Sequence, residues 1–148
     1  MRRPRVYLDV CALKRGWDDP TQLRVQLEAD AVSAILLLAE KGVLMLLRSV
    51  FHDMENARNT DSRRQEAVAT FLETLAMESL DLDALRSRIV TFERAAIQTI
   101  DAAHLAAAEL LEADCFVTCD DRLVKRAVRA RCRVPVLGPV HYLSERHP

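Results

Sequence analysis

The chain reads as an α/β fold in which a mostly parallel sheet is covered by helices. Short apolar runs alternate with segments whose apolar residues recur three or four apart, the mark of strands alternating with helices. One of these runs, Cys115 to Thr118, is apolar up to its end, as a parallel strand buried on both faces should be. A length of 148 residues suits one domain, spanning 1–148, with a core of its own.

The elements are expected in this order. Arg5 to Asp9 is the first strand. Pro20-Thr21 opens a long helix with apolar positions at Leu23, Leu27, Ala31, Ala34 and Leu38, and Gly42 stops it. Val43 to Leu47 is the second strand, and Ser49 caps the helix that follows. A helix over Ser62 to Met77 leads to a short strand near Ser79-Leu80, then a helix over Leu82 to Ala96. Thr99 is the expected cap of a helix with a buried stripe of Ile100, Ala103, Ala107 and Leu111. Cys115 to Thr118 is the fourth strand, and Asp121 to Arg131 the next helix. Val134-Pro135-Val136 makes an edge strand, and Pro139 starts a terminal turn. No linker, repeat or low-complexity segment interrupts this order.

Four acids stand at the ends of these elements. Asp9 closes the first strand, Glu55 lies in Ser49-Val-Phe-His-Asp-Met-Glu55, Asp101 opens the Ile100-Asp101-Ala-Ala-His-Leu helix, and Asp120 follows Phe116-Val-Thr-Cys119. Taken singly, Asp120 is open to reading as a helix cap, Asp101 as a first-turn acid and Glu55 as a solvated helix residue. Asp9 has no such reading, because an acid closing a buried strand finds few protein partners. Ligands of open parallel sheets bind beyond the carboxyl ends of the strands. If the first and fourth strands are neighbours, Asp9 and Asp120 face one cleft. Oxygen ligands without His or Cys at ligand spacing select a hard cation such as Mg²⁺ or Mn²⁺, which supports phosphodiester hydrolysis. No Ser-His-Asp or Cys-His arrangement points to covalent catalysis.

Composition narrows the alternatives. Only 3 glycines are present and no Gly-rich phosphate loop occurs, while a net charge of −1 requires any nucleic-acid binding to be local. Cys11, Cys115, Cys119 and Cys132 form no CxxC pair, which favours small-hydrophobe cysteines in a reduced cytoplasmic protein over a zinc site. The basic start Met1-Arg-Arg-Pro-Arg5 precedes too short an apolar stretch for a signal peptide. The apolar run Ala29 to Ala39 is broken by Asp30, so no membrane span is expected.

Leu8-Asp9, Ser49 through Glu55, Asp101-Ala-Ala-His-Leu-Ala106 and Thr118-Cys-Asp120 resemble, in order and over nearly the whole chain, the motifs of the PIN-domain nucleases. The likeness is greatest to the VapC-type toxins of prokaryotic toxin–antitoxin pairs. The resemblance implies a three-layer fold with a five-stranded, mostly parallel sheet, Mg²⁺- or Mn²⁺-dependent RNA cleavage, homodimers and a cognate antitoxin. Carried over by motif, Asp9, Glu55, Asp101 and Asp120 bind the metal and Thr118 hydrogen-bonds within the site. Asp121, directly after Asp120, stays open as an alternative ligand. Val10-Cys11 departs from the family, which often has a hydroxyl residue followed by Asn or Ser there. A DNA-directed or structure-specific nuclease, and a non-catalytic nucleic-acid-binding or interaction module with a degenerate site, are the rival readings.

Other residues carry weaker signals. Arg24 and Glu28 are expected to form a surface ion pair one helical turn apart, with closure of the site as the alternative. His104 is expected as a hydrogen-bonded, partly buried residue, with orientation of Asp101 or action on substrate as the alternative. His52 and Asp53 are read as solvent-facing, and Trp17 as covering the core rather than stacking on a base. Arg122, Lys125, Arg126, Arg129 and Arg133 form a basic stripe opposite Leu123, Val124, Ala127 and Val128. Arg122, Lys125 and Arg126, starting beside Asp120, are the candidates for binding RNA phosphates. The Ile35-Leu36-Leu37-Leu38 run offers more apolar positions than one buried stripe needs, which suits self-association or an antitoxin helix.

Overall fold

The computed structural model describes residues 2–146. Four strands form one all-parallel sheet among them: β1 (Arg5–Leu8), β2 (Met45–Leu46), β3 (Cys115–Val117) and β4 (Val136–Leu137), in spatial order β2-β1-β3-β4. The helices are α1 (Val10–Leu13), α2 (Leu23–Glu40), α3 (Val50–Ala57), α4 (Ser62–Glu73), α5 (Leu82–Arg94), α6 (Thr99–Leu110), α7 (Asp121–Arg129) and α8 (Pro139–Arg146). A 3-10 turn, Arg15–Trp17, joins α1 to α2. No described helix is long and apolar enough to cross a membrane.

Period-two alternation sorts the two central strands between two cores. Tyr7 and Phe116 point to one face, where their rings stack 5.1 Å apart among Leu85, Phe92, Leu105 and Leu123 from α5, α6 and α7. Val6, Leu8, Cys115 and Val117 point to the other, against Ala12, Val32, Ile35 and Tyr142 from α1, α2 and α8. The result is a sheet between two helical layers. Residues 102–108 of α6 are all buried, not only the expected stripe, because its alanines let neighbours close on every side. Ile100, expected within that stripe, is only half-buried.

Several expectations are corrected. The strand near Ser79-Leu80 does not form, so the sheet has four strands and not five. It is reduced to one parallel bridge between Arg48 and Met77. Asp81 caps α5 by accepting from the amides of Asp83 and Ala84, which leaves the segment after α4 too short for a ladder. The edge strand shifts from Val134-Pro135-Val136 to Val136–Leu137, since Pro135 has no amide to donate. On α2 the buried line is Val25, Glu28, Ala31, Val32 and Ile35, while Leu23 and Leu27 are exposed. The terminal turn at Pro139 is a full helix, α8.

Helix ends account for further differences, and α6 is capped at Gln98, not Thr99. Gly42, with φ of 76°, closes α2 as expected, and the Val43 amide reaches back to the Leu38 carbonyl at 2.9 Å. The same closure ends α5, α6 and α7 at Ala96, Glu112 and Arg131, all with positive φ and none of them glycine. The expected helices over Leu82 to Ala96 and Asp121 to Arg131 therefore stop at Arg94 and Arg129.

Candidate metal centre

Parallel pairing of Leu8 with Val117 brings the carboxyl ends of β1 and β3 level, so Asp9 and Thr118 emerge side by side. The Asp9 amide donates to the Val117 carbonyl at 2.9 Å. Asp9 is only 4% exposed. Its Oδ1 accepts from the Val10 amide at 2.9 Å, starting α1, and its Oδ2 accepts from Thr118 Oγ1 at 2.9 Å and Cys11 Sγ at 3.3 Å. Burial raises its pKa, and the Glu55 charge adds to this. His104, Thr118 and Cys11 act in the opposite sense without cancelling it.

Thr118 has the hydrogen-bonding role expected of it. Because its hydroxyl donates to Asp9, its lone pairs are available to the Asp120 amide, which donates at 3.1 Å. One hydroxyl thus ties the ends of both strands together. Asp120 is exposed and caps α7, its Oδ1 accepting from the amides of Arg122 at 2.9 Å and Leu123 at 3.2 Å. Oδ2 lies outside that cap. Asp121 turns away: Arg24 holds both of its oxygens, at 2.7 and 2.8 Å.

Glu55 is carried by α3, whose start is fixed by Ser49 as expected. Ser49 Oγ accepts from the Phe51 amide, and the Ser49 amide donates to His52 Nδ1 at 3.0 Å. His52 is therefore buried and not solvent-facing. Its Nε2 donates to the Leu8 carbonyl at 2.7 Å, tying α3 to β1 one residue before Asp9. Burial and the neighbouring His104 depress its pKa to about 4, so it is neutral here at physiological pH. Asp53 pairs with Arg48 at 2.8 Å and remains partly solvated.

His104 lies three residues after Asp101 on α6 and is fully buried. Its Nε2 is 2.8 Å from Glu55 Oε1, and its Nδ1 is 2.6 Å from the Tyr7 hydroxyl, which is 2.7 Å from Ser49 Oγ. One assignment of protons satisfies the whole chain: Phe51 N–H to Ser49 Oγ, Ser49 O–H to Tyr7, Tyr7 O–H to His104 Nδ1, and His104 Nε2–H to Glu55. Burial pushes the Glu55 carboxyl up, but the His104 hydrogen bond and the nearby His104 ring and Lys14 ammonium outweigh it. The net pKa is below the ordinary value.

Ligand atoms of Asp9, Glu55 and His104 lie within 4.8 Å of one another. As hydrogen-bonded here, His104 holds Glu55 in place and offers no lone pair of its own. Asp101 lies outside this tight group but within its field. Burial raises its carboxyl to about 6, reinforced by the charges of Asp9, Glu55 and Asp120. Of the four expected acids, Asp9 and Glu55 thus come together, while Asp101 feels the charges of both and of Asp120.

The flanking residues differ from expectation in three places. Glu28 is buried and not on the surface, paired with Arg15 at 3.1 Å and Arg24 at 3.4 Å, while Arg24 spans to Asp121. The pair thus fastens α2 to the start of α7. Trp17 leaves the core at 47% exposure and rims an apolar cleft of about 320 Å³ with Leu13, Val32 and Phe71. On α7, Arg122, Lys125, Arg126 and Arg129 are exposed opposite Leu123 and Ala127, but Val128 faces solvent beside them.

Tyr7 and His52 were not expected in the site's framework. Tyr7 carried the one usable signal, since a buried tyrosine hydroxyl in an apolar strand needs a partner. No family model and no curated protein matches this chain.

Proposed function

We propose that the acid cluster holds Mg²⁺ or Mn²⁺ and that the protein is a PIN-type endoribonuclease, the toxin of a toxin–antitoxin pair. The observation that supports this reading is that Asp9, at the carboxyl end of β1, and Glu55 bring ligand atoms within 4.8 Å of each other, while the charges of both and of Asp120 act on Asp101. Like charges drawn together in a half-buried setting repel, and carboxylate oxygens suit a hard cation. Asp9 and Glu55 would hold it most directly, with Asp101 and Asp120 completing the donor set. Such a cation supplies an acidified water and neutralises charge developing at phosphorus. Thr118 orients Asp9, and His104 orients Glu55. Arg122, Lys125 and Arg126, exposed on α7 directly after Asp120, would take RNA phosphates.

Partners enter the same reading. Exposed Leu23, Leu27 and Val140 border a cleft of about 460 Å³ between α2, α7 and α8, which suits a second copy or an antitoxin helix. Light scattering at micromolar concentration should report a dimer, and a monomer would leave a solitary nuclease. The reaction itself is tested on RNA and DNA with Mg²⁺, Mn²⁺ or EDTA. RNA cleavage should need the cation and be lost in Asp9→Asn, whose amide oxygen can still cap α1. Cleavage by Asp9→Asn would remove the mechanism. Preference for DNA would make the protein a DNA-directed nuclease, and binding without cleavage a nucleic-acid-binding module.

A further inference from the structure

Cys11 and Cys119 meet beside the acid edge although 108 positions separate them, because α1 leaves β1 just where the chain leaves β3. The Cys119 amide donates to Cys11 Sγ at 3.4 Å, and the two thiols influence each other's ionisation. With the amide nitrogen of one cysteine against the sulfur of the other, the two residues are direct neighbours, as a disulfide requires. Both thiols are free.

Their surroundings are unequal. Cys11 is half-buried, and its sulfur sits 3.3 Å from Asp9 Oδ2 and 3.3 Å from Thr118 Oγ1. Cys119 is the more buried of the two, at 7% exposure, and borders an open cleft of about 500 Å³ together with Arg15, Arg24 and Arg122. Cys115 lies in the sheet core and Cys132 on the opposite helical layer, so neither competes for this pairing. The small-hydrophobe reading suits Cys115 but not this pair.

We propose that Cys11 and Cys119 are a reversible oxidation site at which a hydroperoxide forms an intramolecular disulfide, withdrawing the Cys11 thiol from Asp9. Cys119 Sγ attacks the peroxide: an S–O bond forms, the O–O bond breaks, and with hydrogen peroxide one water leaves as Cys119 becomes a sulfenic acid. Cys11 Sγ then attacks that sulfur. The S–S bond forms, the S–O bond breaks, and the oxygen leaves as a second water with the remaining thiol proton. Two thiols are oxidised by two electrons and one peroxide is reduced. A dithiol reductant reverses the change by exchange. Asp9 Oδ2 loses its sulfur donor and keeps Thr118, so the change is felt at the carboxylate nearest the centre of the acid cluster. The effect on Asp9 rests on the function proposed above, but formation of the disulfide does not.

The test uses the reduced full-length protein treated with hydrogen peroxide at modest molar excess. Intact mass without reductant should fall by two hydrogens, peptide mapping should join Cys11 to Cys119, and dithiothreitol should restore the starting mass. Cys11→Ser should lose the crosslink and leave a sulfenic acid on Cys119 that dimedone traps, while Cys119→Ser should lose both. Over-oxidation of Cys119 without a crosslink, or a disulfide through Cys115, Cys132 or a second chain, would overturn the proposal. RNA cleavage by the oxidised form is read separately. If the reduced protein cleaves nothing, the nuclease reading fails while the disulfide result stands.

Discussion

Replacing Asp101 with Asn should stabilise the cation-free protein at neutral pH. Its carboxyl is raised from 3.8 to about 6 by burial and by the charges of Asp9, Glu55 and Asp120. Below the lower value the group is protonated in both folded and unfolded chains and the substitution changes little. Between the two values the unfolded chain loses its proton first, so folding is progressively penalised. Above about 6 the penalty is complete. At about 1.4 kcal/mol per pH unit this separation corresponds to about 3 kcal/mol, but Asp101 is partly open to solvent, which screens it to about 1–2 kcal/mol. The N-terminus of α6 favours a first-turn charge by about 0.3–1 kcal/mol, leaving a net gain for Asn of about 1 kcal/mol. For a chain of this size that is about 2–4 °C in Tm. The assay is urea denaturation in EDTA across a pH series, repeated with saturating Mn²⁺. The gain should appear only on the neutral side, and the cation should stabilise the wild type more than the variant, since it relieves a repulsion the variant lacks. A variant equally or less stable at neutral pH in EDTA would mean that these carboxylates do not share a site.

Two further outcomes test the framework around that site. His104→Phe strands the Tyr7 hydroxyl and removes the donor to Glu55, so stability should fall by about 2–4 kcal/mol and the Glu55 carboxyl should titrate at higher pH. Carboxyl NMR reads this directly, and an unmoved Glu55 would remove His104 as its positioning residue. Arg122→Gln with Arg126→Gln should weaken RNA binding and lower its salt dependence by about 0.7 for each phosphate no longer bound. Unchanged affinity and slope would return α7 to being a solvated basic face.

The fold was legible where residue type and position point the same way. Val6-Tyr7-Leu8 and Cys115-Phe-Val117 are buried on both faces and read as central strands. Gly42 announced the end of α2 because glycine is the usual residue at positive φ. Ala96, Glu112 and Arg131 occupy the same left-handed geometry, closed by the next residue's amide donating to a carbonyl five residues before it, and nothing in their side chains reveals it. Leu23 and Leu27 misled for a different reason. Apolar spacing shows which residues share a face of α2, but not whether that face meets the sheet. Here the sheet takes the side of Val32 and Ile35.

In the site, the acids could be read and their partners could not, and the difference is one of position within elements. Asp9, Asp101 and Asp120 stand at element ends, where backbone amides or solvent are close at hand and a carboxylate is conspicuous. His104, Tyr7 and His52 lie inside elements, and their roles depend on which strand and helix faces meet, a long-range outcome that no local spacing records. Spacing alone makes His104 a neighbour of Asp101, yet its nitrogens engage Glu55 from α3 and Tyr7 from β1. Cys11 shows the same limit in reverse. Its residue type suggests a gap in the polar surroundings of Asp9, while its placement puts a weak thiol donor on Oδ2 and a second sulfur alongside. Where the expected residue is replaced, the surrounding geometry decides which interaction survives. Here it keeps a donor on the acid and adds a chemistry that a hydroxyl or amide could not perform.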